Sequence, residues 1–223
     1  METTHIVELR QYTLRPGARD TLTKLFEREF VTGQEAAGIR VGGRFADLDD
    51  PDRFVWMRGF PGMPARLRSL RAFYGGPVWR AHRDAANATM TDSDDVLLLR
   101  GPGYRVPPDA GQVVVTVCHP ADPEVFAGAL AGPGGLPADA AVHRSEHAVN
   151  DFPALPVRTG EDVVLWFTAF ADAGERPGGP VLPAATARLP LLRPPQRLRL
   201  APVRVPGPGD GDRGPQRRMS PRS

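Results

Sequence analysis

Residues 53–60 read RFVWMRGF and residues 163–170 read VVLWFTAF; residues 96–100 read VLLLR and 197–201 read RLRLA. Each is a short run of aromatic, aliphatic and β-branched residues, the composition of a strand. What decides the fold is that they recur in the same places within two successive runs of elements. Before 53–60, residues 5–13 alternate as a strand, with Ile6, Glu8, Arg10 and Tyr12 on one face and Val7, Leu9 and Gln11 on the other. Residues 18–31 change to helical spacing through Leu22, Leu25, Phe26 and Phe30. Residues 39–48 return to a strand in which Gly42-Gly43 marks a bulge or a close backbone approach. The turn at 49–52 (DDPD) joins it to 53–60 as a hairpin. A helix over 62–74 stops at Gly75-Gly76, a second helical piece starts at Pro77, and 94–100 closes as a strand. The order is βαββαβ.

A Gly- and Pro-rich linker over 101–111 follows, and the order runs again. Residues 112–119 read as a strand, and 122–131 as a helix with Asp122 as N-cap before Pro123. Residues 140–149 and 163–170 are strands, 181–193 is weakly helical, and 196–200 is the last strand. Two βαββαβ units predict an α+β protein of two tandem ferredoxin-like halves, 1–103 and 111–205. Each half is a four-stranded antiparallel sheet with helices on one face. The other faces also carry apolar residues, so the sheets are expected to pack on each other as a barrel built within one chain. Self-association of whole chains is equally compatible with this scheme. Residues 206–223 have no periodicity and are expected to form a disordered Pro/Gly/Arg-rich tail.

Composition narrows the function classes. The 223 residues carry a net charge of +2, and the tail's four Arg and two Asp account for all of it. The body is then neutral, with acids and bases interspersed, which argues against a nucleic-acid face. Lys24 is the only lysine, so a Schiff-base or phosphate-loop lysine has one candidate at most. Cys118 is the only cysteine and lies in the apolar run VVVTVC (113–118), which suits a buried structural thiol in a reducing cytoplasm. The start METTH shows neither a basic nor an apolar leader region, and the longest apolar runs are a few residues, so neither a secretory signal nor a membrane span is expected. No Walker A, strand–GxGxxG–helix or paired-cysteine motif occurs, so no cofactor is called for by motif.

The segments VELRQYTLRPG (7–17), DPDRFVWMRGF (50–60) and FYGGPVWRAHRDAANATM (73–90) resemble the NIPSNAP family of the dimeric α/β-barrel superfamily. The resemblance covers residues 5–100, and the third segment is the most specific. The second half resembles a more divergent copy, with HRSEHAVNDFPALPVRTGE (143–161) in its hairpin position. The resemblance implies a ferredoxin-like fold and barrel pairing. It implies no single chemistry, since sister families include cofactor-free monooxygenases, isomerase-like proteins and haem-handling enzymes.

Several residues are candidates for a site. Trp56 and Arg58 share a face of strand 53–60 and could bind a planar or anionic ligand, by stacking and by a guanidinium–carboxylate contact. The competing reading makes Trp56 core and pairs Arg58 with Glu8 across the sheet. Glu8, Arg10 and Tyr12 line a cavity if their face points into the barrel, and mean nothing if it points to solvent. Trp79 and His82 are three apart on one helical face, where His82 could act as a general base beside an apolar substrate or simply bond backbone. His143 and His147 have HxxxH spacing, but on a strand that separates them by about 13 Å, too far for one metal ion. His143, Ser145 and His147 would instead share a strand face, and no strand–turn–helix elbow surrounds Ser145. A single axial haem ligand would need only one of His82, His143 or His147. These residues support a small apolar or aromatic ligand held by Tyr12, Trp56, Arg58, Trp79 and His82 between sheet and helices. The alternatives are a cofactor-independent monooxygenase or isomerase, with His82 or His147 as base and Arg58 stabilising an enolate or carboxylate, and a non-catalytic assembly protein.

Overall fold

The computed structural model describes residues 4–138, 140–172, 174 and 181–204; the expected tail lies outside them. β1 (Ile6–Leu14) is buried on both faces, and the reason is the layer on each side of it. Val7 and Leu9 point into a barrel interior, while Ile6, Tyr12 and Leu14 pack under helices. β1 lies between β3 (Arg53–Phe60) and β4 (Met90–Arg100), and β3 pairs in turn with β2 (Arg40–Asp47). The second half supplies β5 (Gln112–Pro120), β6 (Val142–Ser145), β7 (Val164–Phe170) and β8 (Leu191–Pro202). Around the closed barrel the order is β1-β3-β2-β8-β5-β7-β6-β4, all antiparallel. Read separately, the sheets run β4-β1-β3-β2 and β8-β5-β7-β6, the same order in each half, which is that of a ferredoxin-like unit.

The two sheets meet over one apolar interior. Val7, Leu9, Phe45, Val55, Met57, Leu97 and Leu99 come from the first half, and Val113, Val115, Val117, Val163, Leu165, Phe167, Leu198 and Leu200 from the second. Full burial of a Val or Leu contributes roughly 1.5–3 kcal/mol, so this shared core is the main force joining the halves. Its far end is polar: Gln196 Nε2 donates to Gln11 Oε1 at 3.1 Å. Beside that end His119 lies 3.0 Å from Glu161, which is also bound by Arg158 and Arg193.

Helices cover the outside unequally. The first sheet carries α1 (Arg19–Leu25), a π-helical turn (Phe26–Phe30), α2 (Val31–Ala36), α3 (Met63–Tyr74) and α4 (Pro77–Asn87). The π turn keeps both Phe26 and Phe30 buried, against Trp56 and Phe73 respectively. The second sheet has α5 (Pro123–Ala131), whose Phe126 and Leu130 bury Cys118, Val164 and Trp166. Burial pushes the Cys118 thiol up to about 12, which leaves it inert.

Two expectations need correction. The second half has no helix over 181–193: residues 181–189 form turns closed by bonds such as Thr186 N to Pro183 O, and β8 has begun by Leu191. Pro183 and Pro190 explain why the periodicity is not realised. β6 ends at Ser145, so His147 lies beyond the strand and does not share a face with His143. Among the described residues no helix is long and apolar enough to cross a membrane.

Candidate functional site

The face of β1 carrying Glu8, Arg10 and Tyr12 points neither into the barrel nor to solvent. It is sealed beneath the helices, and most of its polar groups bond to one another. Glu8 is fully buried and accepts from Arg10 Nη1, Arg58 Nε and Arg66 Nε, each at 2.7 Å. Arg58 Nη2 is also 2.7 Å from Glu8 Oε2 but off the line of its N–H bonds, so the Nε bond is the directed one. Arg10 Nε donates to Tyr12 Oη at 3.0 Å, and Arg58 Nη1 donates to Tyr74 Oη at 3.1 Å. Arg66 reaches from α3 and is capped by Asp151 Oδ1 at 2.7 Å, from the loop between β6 and β7. Burial alone would raise the Glu8 pKa, but Arg58, Arg10 and Arg66 outweigh it and hold the carboxylate well below its usual range. Trp56 is core, stacked edge-on with Tyr12 and Phe26, and Arg58 lies over its ring at 5.3 Å.

Tyr12, Trp56 and Arg58 are therefore together, as their strand positions require, and they build the fold's interior. The space between sheet and helices is filled by Phe26, Phe30, Phe54, Phe60 and Phe73. Trp79 packs half-buried on the outer side of this layer, against Phe30 and Tyr74. His82 is beside it, with Nε2 3.3 Å from Glu29. His147 is on the other half, exposed and bonded to Asp162 at 2.7 Å. Tyr74, bonded to Arg58 and packed on Trp79, connects the first two groups, whereas His147 lies apart from both. His143 is fully buried: its Nε2 donates to the Pro102 carbonyl at 2.7 Å, and burial pushes its pKa down to about 4.

The large opening is elsewhere, at the near mouth of the barrel. β2 and β8 pair over Phe45–Asp47 against Leu200–Pro202, and Val203 N donates to Arg44 O just beyond, so residues 40–43 stand away from β8. The ladder between β2 and β3 also skips from Val41 to Arg44, which is the bulge that Gly42-Gly43 signals. A Cβ on Gly43 would lie 2.2 Å from Phe45 Cζ, so any side chain there would force the buried Phe45 ring aside. Across the gap runs the linker. His143 holds it at Pro102, Tyr104 stacks on Phe167 with centroids 4.1 Å apart, and Arg204 donates to the Pro108 and Ala110 carbonyls.

Between linker and β2 lies a cavity of about 1250 Å³. Val7, Met57 and Val106 line its apolar part, and Tyr104 presents a ring whose hydroxyl burial pushes up to about 12. Arg40, Arg44, Arg58, Arg105 and Arg204 line it as well, with Glu35 the one acid among the lining residues. Arg44 is neutralised by a two-pronged contact with Glu27, at 2.7 and 2.9 Å, and Arg58 by Glu8. Arg40, Arg105 and Arg204 have no carboxylate partner among the described residues. None of the five histidines lines the cavity. A linker read only as a Pro/Gly spacer hides this site; the alternation of Tyr104 and Val106 within it was the available signal.

Eight antiparallel strands closed from two sheets of ferredoxin order, with helices outside, define the dimeric α/β-barrel class realised on one chain. Solved structures agree over nearly the whole length. The chain is similar to a protein provisionally assigned as a monooxygenase from Lactobacillus acidophilus, at 13% identity over 89% of this chain and 94% of that one, TM-score 0.56. It is similar to another of the same provisional assignment from Fusobacterium nucleatum, at 9% identity over 92% and 94%, TM-score 0.55. Over 47% of its length it is similar to a NIPSNAP family protein of unknown function from Agrobacterium tumefaciens, at 19% identity over 93% of that chain, TM-score 0.41. No family's sequence profile and no curated protein matches the chain.

Proposed function

We propose that this protein binds a small organic anion with a planar apolar body in the cavity at the barrel mouth. The observation that carries the reading is the pair Arg40 and Arg105, without carboxylate partners among the described residues and with Arg204 held on linker carbonyls beside them, set around a floor of Val7, Met57, Val106 and Tyr104. Arginine presents a rigid fork matched to a carboxylate, and an apolar pocket with a few convergent polar groups is the usual form of a ligand site. The volume exceeds the roughly 300–1000 Å³ of most small-molecule pockets, so a ligand of two or more fused rings fits. A monooxygenase or isomerase that uses a histidine base would need that base within bonding reach of the ligand, and His82 and His147 are each paired elsewhere. Ligand capture is accordingly the better-supported reading.

Isothermal titration with 1-naphthoate and with the uncharged 1-naphthalenemethanol tests it. The acid should bind at least tenfold tighter, and R40A/R105A should remove that preference. Equal binding of acid and alcohol, or an unchanged preference in the double variant, would refute the proposal.

A further inference from the structure

The buried cluster beneath the helices has more cations than anions. Arg10, Arg58 and Arg66 are all at or below 1% exposed, and their contacts connect them to two carboxylates, Glu8 and Asp151. Tyr12 does not supply the missing negative charge, because burial raises its pKa. A net cation out of water is costly unless it is paired. The donors also outnumber the acceptors: Arg66 Nη2 and Trp56 Nε1 are buried and have no acceptor among the described residues. The two carboxylates differ in kind. Glu8 is on β1, sealed, and built into the strand. Asp151 is on a loop, its side chain is 26% exposed, and it is the one acid of the cluster that solvent reaches. Its neighbour Asn150 accepts from the same Arg66 nitrogen at 3.1 Å and ties the loop through Nδ2 to the Leu155 carbonyl. Phe152 then lays its ring on Tyr74, at 5.8 Å.

From this we infer a second binding site, for a small carboxylate, in which Asp151 is the resident occupant. The guanidinium of Arg66 is the receptor, the loop bearing Asn150 and Asp151 is the cover, and an incoming carboxylate takes the place of the Asp151 side chain. The site is separate from the barrel-mouth cavity, and the inference does not rest on the function proposed for that cavity.

The test is chemical rescue. Asp151→Ala should lower the melting temperature by several degrees, and sodium formate should restore at least half of the loss with a saturating concentration dependence. Sodium chloride at equal ionic strength should not. The wild type, whose own carboxylate competes, should need at least tenfold more formate for any response. In D151A/R66M the formate-specific response should vanish. Formate and chloride acting alike on Asp151→Ala would overturn the inference, as would rescue that survives in the double variant. Should Asp151→Ala fail to fold, Asp151→Asn is titrated in the same way, since it keeps the side chain's shape and removes the charge; the same two outcomes decide.

Discussion

Consider the substitution Glu8→Gln. The side chain keeps its size, so no cavity forms, and what is lost is one negative charge that accepts three 2.7 Å bonds from three guanidiniums. Removing one partner of a buried ion pair costs about 3–5 kcal/mol, because the other charge is left uncompensated. Three cations lose their shared partner here, but the losses are coupled and do not add. A loss of about 4 kcal/mol is expected at pH 7. At roughly 2–4 °C per kcal/mol for a chain of this size, the melting temperature should fall by roughly 8–16 °C. The pH dependence gives a second handle. A carboxylate whose folded pKa is depressed contributes stability that is present above its unfolded value, near 4.3, and is lost as pH falls towards the folded one. The stability gap between wild type and Glu8→Gln should therefore be constant from pH 7 to about 5 and narrow below about 4. Urea unfolding followed by circular dichroism at pH 7, 5 and 3.5 measures it. A gap under about 1 kcal/mol at pH 7, comparable with a surface pair, or a gap that does not narrow in acid, would refute the reasoning.

Other outcomes follow from single contacts. His143, buried neutral with its pKa pushed down to about 4, should make the protein lose about 3 kcal/mol between pH 6.5 and 4, because only the unfolded state takes up the proton there. Urea titrations at pH 7 and 5 should show a smaller loss for H143Q, with His119, also lowered by burial, accounting for a remainder. Gly43→Ala should cost about 1–3 kcal/mol through overpacking against Phe45 and should weaken 1-naphthoate binding at the same mouth, read by denaturation and titration. Asp122→Ala removes the side chain that accepts from Glu124 and Val125 at the start of α5, and should lower stability by about 1 kcal/mol without changing ligand binding.

Much of the fold was legible because strands write their two faces into alternate residues. RFVWMRGF at 53–60 is β3 with the same bounds, and Leu22, Leu25, Phe26 and Phe30 are all buried as their spacing requires. The π turn was not legible, since one extra residue per turn leaves that apolar stripe intact. Pattern reading also fails where charge goes inside. Arg66 on α3 looks like a solvated helix position, yet it is fully buried, because its counter-charges come from β1 and from a loop 85 residues away. The pairing of Arg58 with Glu8 could be weighed, being one cross-strand step; Asp151 could not. The barrel-mouth cavity was hidden for a related reason: its walls come from β2, the linker and the end of β8, and no local period connects them.

The barrel's two closing seams differ from its other joints. β1 and β3 share eight register pairs, whereas β2 meets β8 over three and β4 meets β6 over two. Main-chain bonds such as Val203 N to Arg44 O and Glu146 N to Leu98 O extend both seams, but less backbone bonding crosses them than holds β1 to β3, so the union is largely solvophobic and depends on the interior shared by the two sheets. Each half keeps its own ladders if the seam opens, but each then shows water an apolar slab. The linker makes reclosing intramolecular, at an effective concentration far above that of two free halves. Cutting the chain in that linker should turn the barrel into a dissociable heterodimer whose integrity depends on dilution, a property the intact chain does not have.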